Sequence, residues 1–313
     1  MFGLGILTQN GLENLADILS LRVVHSFTTS QSSGTYVAPG SWSASRDTFF
    51  VVSSSGYRLP KISRSGNTFS WSAFYSGNSV SFTFFLIAVN NPNAIGSWGL
   101  VAKNESGGIA LDQNYPALAI KKSGQSSGSV AAPGYPSYLH NIACLPSEIV
   151  SVSLDSGQYM ANGPYQNGYR QIFHSESSFE YRILTNDISS LTSASDYGLQ
   201  LFSASGLLIY DSGIPIISIK SVINDTPSGG LSVSGMSSSD RFIACTSPFW
   251  LWSSDLHPML GIYMGSEMYY GVERNGSSLS LKSVNGVSVQ SGRTPIYGPV
   301  PNGAEMSVLV GKG

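Results

Sequence analysis

Charge is what this sequence has least of. Lys and Arg number 16 and Asp and Glu 18 among 313 residues, so 11% of the chain is charged, less than half of the ~25% usual in soluble proteins. The formal net charge of −2 supplies no electrostatic footprint for a nucleic acid, and none is expected as a partner. Two cysteines, Cys144 and Cys245, cannot build a disulfide scaffold. The four histidines, His25, His140, His174 and His257, are scattered without His-x-His or His-x-x-x-His spacing. Ordinary surface or half-buried histidines are expected, and no metal or other cofactor. The longest apolar stretches, Phe82–Val89 and Leu207–Ile209, have strand length and fall short of the ~18 residues of a membrane helix, so no membrane insertion is expected. Met1-Phe2-Gly3-Leu4-Gly5 has neither a charged n-region nor a small-residue cleavage site, and no signal peptide is expected.

What the chain has in abundance is serine (58), glycine (34) and aromatic residues (11%). The aromatic content excludes a disordered tail. Period-2 patterns recur between turn signals. Phe82–Val89 reads as a strand buried on both faces, and Ser147–Leu154 as a half-buried strand that alternates polar and apolar residues. Asn10-Gly11, Ser65-Gly66-Asn67, Gly107-Gly108, Asn162-Gly163, Asn275-Gly276 and Asn285-Gly286 read as hairpin turns, because such pairs supply the positive φ that tight turns need.

Internal repetition organises these strands. Trp98–Lys121 and Tyr197–Lys220 align without gaps at an offset of 99, with eight identities: Gly99, Leu100, Ser106, Gly107, Asp112, Pro116, Ile120 and Lys121 fall on Gly198, Leu199, Ser205, Gly206, Asp211, Pro215, Ile219 and Lys220. Gln31–Gly40 matches Gln125–Gly134 at an offset of 94, and Phe2-Gly3-Leu4 with Gly11 matches Trp98-Gly99-Leu100 with Gly107. Ile142-Ala143-Cys144 aligns with Ile243-Ala244-Cys245, which places the two cysteines at equivalent, well-separated, buried strand positions. The fold expected is all-β, with three tandem β-sandwich-like modules at 1–96, 97–195 and 196–313. Each module opens with aromatic-Gly-Leu and a hairpin and closes on a late apolar strand: Val80–Val89, Phe179–Leu184 and Met306–Val310. Leu12, Leu15, Ile18 and Leu19 have helical spacing, but the repeat places a hairpin over Gly3–Leu21.

The stretch Tyr197–Ser212, with aromatic-Gly-Leu, a short strand, a Ser-x-x-Gly turn and a strand ending in Asp-Ser, resembles the opening of small structural tail proteins of long-tailed bacteriophages. The similarity is clear at 197–220, extends to 98–121 and covers part of 2–17. It implies a non-enzymatic virion structural protein of the baseplate, tail tip or tail fibre, made in the host cytoplasm and located in the virion tail. Other tail or baseplate proteins are then its partners. The symmetry of tail tips implies a homotrimer, and host attachment implies a surface receptor or glycan.

Direct searches for chemistry agree with a non-enzyme. No Gly-x-Ser-x-Gly elbow or phosphate-binding loop is present. A glycosidase needs two carboxylates across a cleft. The acids available are Asp155, Glu176, Glu180, Asp187, Asp196, Asp211 and Asp225. Glu176 and Glu180 fall on one expected strand, and the repeat of Asp112 at Asp211 points to a turn cap or a backbone contact. Aromatics near Gly-, Asn- and Pro-rich loops are the candidate interface or ligand contacts: Tyr165, Tyr169, Phe249, Trp250 and Trp252. The segment Pro248-Phe249-Trp250-Leu251-Trp252 is hard to bury on one face of a strand and reads as a subunit contact. The alternative is a receptor- or glycan-binding, lectin-like adhesion protein.

Overall fold

The computed structural model describes residues 5–8, 11–14, 22–38, 47–54, 60–72, 81–88, 101–103, 109–112, 118–131, 137–191, 199–203, 205–217, 219–225, 232–246, 249–257, 262–292 and 306–312. They are almost entirely β-strand, with a single 3₁₀ turn at Ile188–Ser190 among them. The first part of the chain carries β1 (Gly5–Thr8), β2 (Gly11–Asn14), β3 (Arg22–Thr29), β4 (Ser33–Val37), β5 (Asp47–Ser54), β6 (Lys61–Ser65), β7 (Thr68–Ser72) and β8 (Phe82–Ala88). The second carries β9 (Val101–Lys103), β10 (Ile109–Asp112), β11 (Ala119–Ser127), β12 (Ser129–Val130), β13 (Tyr138–Ala143), β14 (Ile149–Ser153), β15 (Tyr159–Gln166), β16 (Tyr169–His174) and β17 (Ser178–Thr185). The third carries β18 (Gln200–Phe202), β19 (Leu208–Asp211), β20 (Ile219–Asp225), β21 (Ser232–Val233), β22 (Phe242–Cys245), β23 (Phe249–His257), β24 (Ile262–Asn275), β25 (Ser278–Gly292) and β26 (Met306–Gly311).

One strand order occurs three times. Each part opens with an antiparallel hairpin: β1–β2, β9–β10 and β18–β19. The hairpin expected over Gly3–Leu21 is present at residues 5–14, while 15–21 lie outside the described residues. Six further strands follow. The first, third and sixth form one sheet with the sixth in the middle: β3-β8-β5, β11-β17-β14 and β20-β26-β22. The second, fourth and fifth form the other, with the fifth in the middle: β4-β7-β6, β13-β16-β15 and β21-β25-β24. The second part adds β12 outside β13, and the third adds β23 against β24.

The repeat extends to irregularities. Pairing to the late strand slips at Val23/His25, at Ile120/Lys122 and at Ile219/Ser221. The Ile-Lys identity of the sequence repeat is therefore the site of a β-bulge, which inserts one unpaired residue and increases the local twist.

The second and third parts do not keep separate sheets. β14 pairs with β22 through Val152↔Ile243 and Ser153↔Phe242, and β15 pairs with β24 through Tyr159↔Glu273 and Met160↔Val272. The result is a six-stranded sheet, β11-β17-β14-β22-β26-β20, facing an eight-stranded one. In both, strand order mirrors about the junction, so the two halves meet as if across a two-fold axis. A single core runs through both halves and includes Val152, Met160, Ile172 and Ile183 from one and Ile243, Cys245, Val272 and Val308 from the other.

The late strands show why some segments lack alternation. On β8, Phe82, Phe84 and Leu86 face Ile62, Phe69 and Trp71 across the first sandwich. Its Phe85 and Ile87 face the other way, into a cluster with Ile149, Leu184, Ala244 and Leu309 from the rest of the chain. Both faces are covered, so the strand reads as a continuous apolar run, as expected for Phe82–Val89. β14 has the same cause and a different outcome from its expectation. All five residues Ile149–Ser153 are buried, serines included, because its outer face packs into this central cluster instead of facing water.

The alignment of Ile142-Ala143-Cys144 with Ile243-Ala244-Cys245 is corrected. The former lie on or beside β13 in the eight-stranded sheet, the latter on β22 in the six-stranded sheet. Pairing to the late strands makes Val150-Ser151-Val152 the counterpart of Ile243-Ala244-Cys245. Cys144 and Cys245 are both free and both border the same core.

Candidate functional site

Tyr165 and Tyr169 sit at the tip of the β15–β16 hairpin. Its turn is Asn167 (φ 52°) followed by Gly168 (φ 86°), the two positive-φ residues that a two-residue type I′ hairpin demands. The two tyrosines have different fates. Tyr165 is half-buried and its hydroxyl donates to the Cys144 carbonyl at 3.1 Å. Tyr169 is 44% exposed, and Leu145 nearby is 53% exposed. Ala143 pairs with Tyr169, and the Cys144 N–H donates to the Gly168 carbonyl at 3.2 Å, so Leu145 and Tyr169 share one exposed apolar surface.

Beneath this surface lies Arg170, 3% exposed. Its guanidinium is 5.3 Å from the Tyr165 ring centroid, and its Nη2 has no hydrogen-bond partner. It forms no ion pair among the described residues. Burial lowers its pKa to about 10, partly offset by Cys144 and Tyr165. Burial likewise pushes the Cys144 thiol up, so the thiolate is disfavoured and the cysteine is not set up as a nucleophile.

Phe249, Trp250 and Trp252 lie on β23, in register with Tyr269, Met268 and Ser266 of β24. The placement of their side chains lies outside what the structure describes. Among the described residues β23 has no counterpart in the first two parts and β24 is its one strand partner, so within them it stands at an edge, where a sheet can add a partner. The five candidate aromatics thus fall on two elements, Tyr165 and Tyr169 on the β15–β16 hairpin and Phe249, Trp250 and Trp252 on β23.

The histidines depart from expectation. His140 and His174 are fully buried, meet edge to face at 6.2 Å, and both pack on Phe179. His25 is exposed, as expected, and stacks on Tyr36. His140 Nε2 bonds the Glu176 carbonyl at 2.9 Å and its Nδ1 bonds Ser126 Oγ at 3.0 Å. His174 Nδ1 accepts from the Glu176 N–H at 3.0 Å, which leaves Nε2–H to donate to the Ser153 carbonyl at 3.4 Å. The pair grips the backbone N–H and the carbonyl of one residue, Glu176, in the β16–β17 turn. The sequence held no spacing signal for it, since the residues come from two different strands.

The acids do structural work. Asp211 Oδ1 accepts from the Gly213 N–H at 2.7 Å and its Oδ2 from Gln200 at 2.8 Å, the turn cap that the repeat suggested. Asp187 accepts from the Ser189 hydroxyl at 2.7 Å. Glu180 pairs with Arg241 at 2.6 Å. Glu176 belongs to the turn before β17 and not to a strand with Glu180, because the histidine pair holds its backbone in a bend. Among the described residues no group of three or more His, Cys, Asp or Glu is placed to hold a metal ion.

Comparisons with protein-family models, with curated proteins and with solved structures found no match.

Proposed function

We propose that this chain is a non-enzymatic structural protein of a bacteriophage tail, sited at the baseplate, tail tip or fibre and contributing to assembly and host attachment. The observation that carries this reading is the hairpin-led strand order that recurs three times along a chain with 11% charged residues. It is supported by the resemblance of Tyr197–Ser212 to tail-protein openings. Such a chain is built to be joined at sheet edges and apolar faces. β14 and β22 already join this way, as do β15 and β24, and β23 together with the Tyr169–Leu145 surface offers the means to join other chains. The proposed assembly is a homotrimer in contact with other tail proteins. Antibodies raised against the purified chain test the reading by immunogold electron microscopy on tailed particles whose genome encodes it. Label confined to the distal tail supports it; label absent from the particles, with the chain found free in the lysate, overturns it.

A further inference from the structure

A groove of about 340 Å³ opens on the outer face of the six-stranded sheet, where β11 and β17 approach β22. Phe242 contributes the aromatic surface. The Arg182 guanidinium lies 3.7 Å from its ring centroid and the Arg241 guanidinium 5.6 Å. Arg241 is paired, Nη2 to Glu180 Oε2 at 2.6 Å. Arg182 donates from Nη1 to the Lys312 carbonyl at 2.7 Å and forms no ion pair among the described residues. Among the described residues the groove thus holds two guanidiniums and one carboxylate, and that carboxylate pairs with Arg241. Stacking on Phe242 and the bond to Lys312 fix the Arg182 fork in advance, which cuts the ordering cost of capturing a planar anion.

The rest of the lining is chemically uniform. Ser123 and Gln125, in register with Arg182 and Glu180, present a hydroxyl and an amide on the same face. The volume stands at the lower end of the ~300–1,000 Å³ of small-molecule sites. That suits one or two sugar rings and not an extended peptide, and the neutral hydrogen-bonding groups suit a polyhydroxylated ligand.

We propose that this groove is a saccharide-binding subsite for an acidic sugar, one with a carboxylate on each ring, with Arg182 as the anchor for one such carboxylate. The inference goes beyond a place in a phage tail and stands on the groove alone. The test is calorimetric titration of the full chain with digalacturonate, with neutral digalactose, and with a short poly-glutamate peptide. Saturable binding of digalacturonate is expected, at least about tenfold tighter than of the neutral disaccharide, since a charge-assisted bidentate contact is worth that much. Arg182→Gln, checked for an unchanged thermal midpoint, is expected to lose that advantage. Gln125→Ala, at an exposed position, is expected to weaken both sugars alike, and serves as the readout should Arg182→Gln not fold. Absence of saturable digalacturonate binding at millimolar concentration overturns the proposal. So does equal affinity for the two disaccharides, tighter binding of the peptide, or full affinity in a folded Arg182→Gln.

Discussion

His140 and His174 are the residues whose environment differs most from what water would offer them. Both rings are fully buried and use each ring nitrogen in a hydrogen bond; at His174 the N–H of Glu176 donates to Nδ1, which requires the neutral form with hydrogen on Nε2. Burial lowers the pKa of both, and that of His174 to about 4. A histidine depressed in the folded state contributes stability that is fully present above its unfolded value near 6.5 and is lost as pH falls toward 4. For His174 this amounts to on the order of 3 kcal/mol. The urea midpoint is therefore expected to hold between pH 8 and 7 and to fall progressively from about pH 6.5 downward. In an NMR titration, a His174 ring signal that shifts near pH 6.5 in the folded chain would contradict the burial argument. Arg170 makes the opposite case. A buried guanidinium with an unbonded Nη2 and no ion pair among the described residues costs more than it returns. Arg170→Met is expected to leave the thermal midpoint unchanged or raised; a loss of more than about 2 kcal/mol would show that the charge is compensated. Neither residue was legible in the sequence. A histidine pair from strands 34 positions apart leaves no local spacing, and an isolated arginine in a half-apolar strand reads as solvent-facing.

At the scale of elements, apolar content was more legible than turn chemistry. The three late apolar strands, expected at Val80–Val89, Phe179–Leu184 and Met306–Val310, appear as Phe82–Ala88, Ser178–Thr185 and Met306–Gly311. Each is the middle strand of its sheet trio; β8 and β26 are buried along their length, as two covered faces demand, while β17 carries Glu180 and Arg182 on a partly open outer face. Asn-Gly pairs proved ambiguous. Gly66 and Gly276 take positive φ in hairpin turns, but Asn162-Gly163 lies inside β15 and Asn285-Gly286 inside β25. Both interrupt strands where the register shifts. At Gly163 the absent side chain serves packing: a Cβ would sit 2.8 Å from the Phe173 ring. Asn167-Gly168 is the turn that closes β15–β16. Gly168→Ala at φ 86° is expected to cost about 1–2 kcal/mol, while Gln171→Ala, on β16 of the same hairpin, should stay within about 0.5 kcal/mol. Chemical denaturation of the two variants side by side checks this. Equal effects would mean that the turn does not set the hairpin.

For the whole molecule, the all-β class was legible and the way the strands combine into sheets was not. The seam between the second and third parts rests on two pairs of residues in each sheet and on the shared core behind them. Nothing in a linear sequence marks an edge strand that will find its own counterpart. Arg274 locks the seam. It is 5% exposed, and its guanidinium donates to the carbonyls of Leu154 at 2.9 Å, Ser237 at 2.8 Å, Asp240 at 3.3 Å and Gly276 at 3.1 Å. Arg274→Met leaves these carbonyls without their donor and is expected to destabilise residues from both parts together, by more than about 3 kcal/mol. Hydrogen exchange reads this directly: β14 and β22 should lose protection to the same extent, and a loss confined to β22 would mean that the two parts are held separately. Among the described residues, β23 and the exposed Tyr169 and Leu145 are left outside this internal pairing, and in the proposed function they serve assembly. Light scattering coupled to size exclusion on the purified chain tests this most directly. A particle of three chains of 33.2 kDa each, stable on dilution through the micromolar range, is expected. A monodisperse particle at the single-chain mass of 33.2 kDa would contradict it.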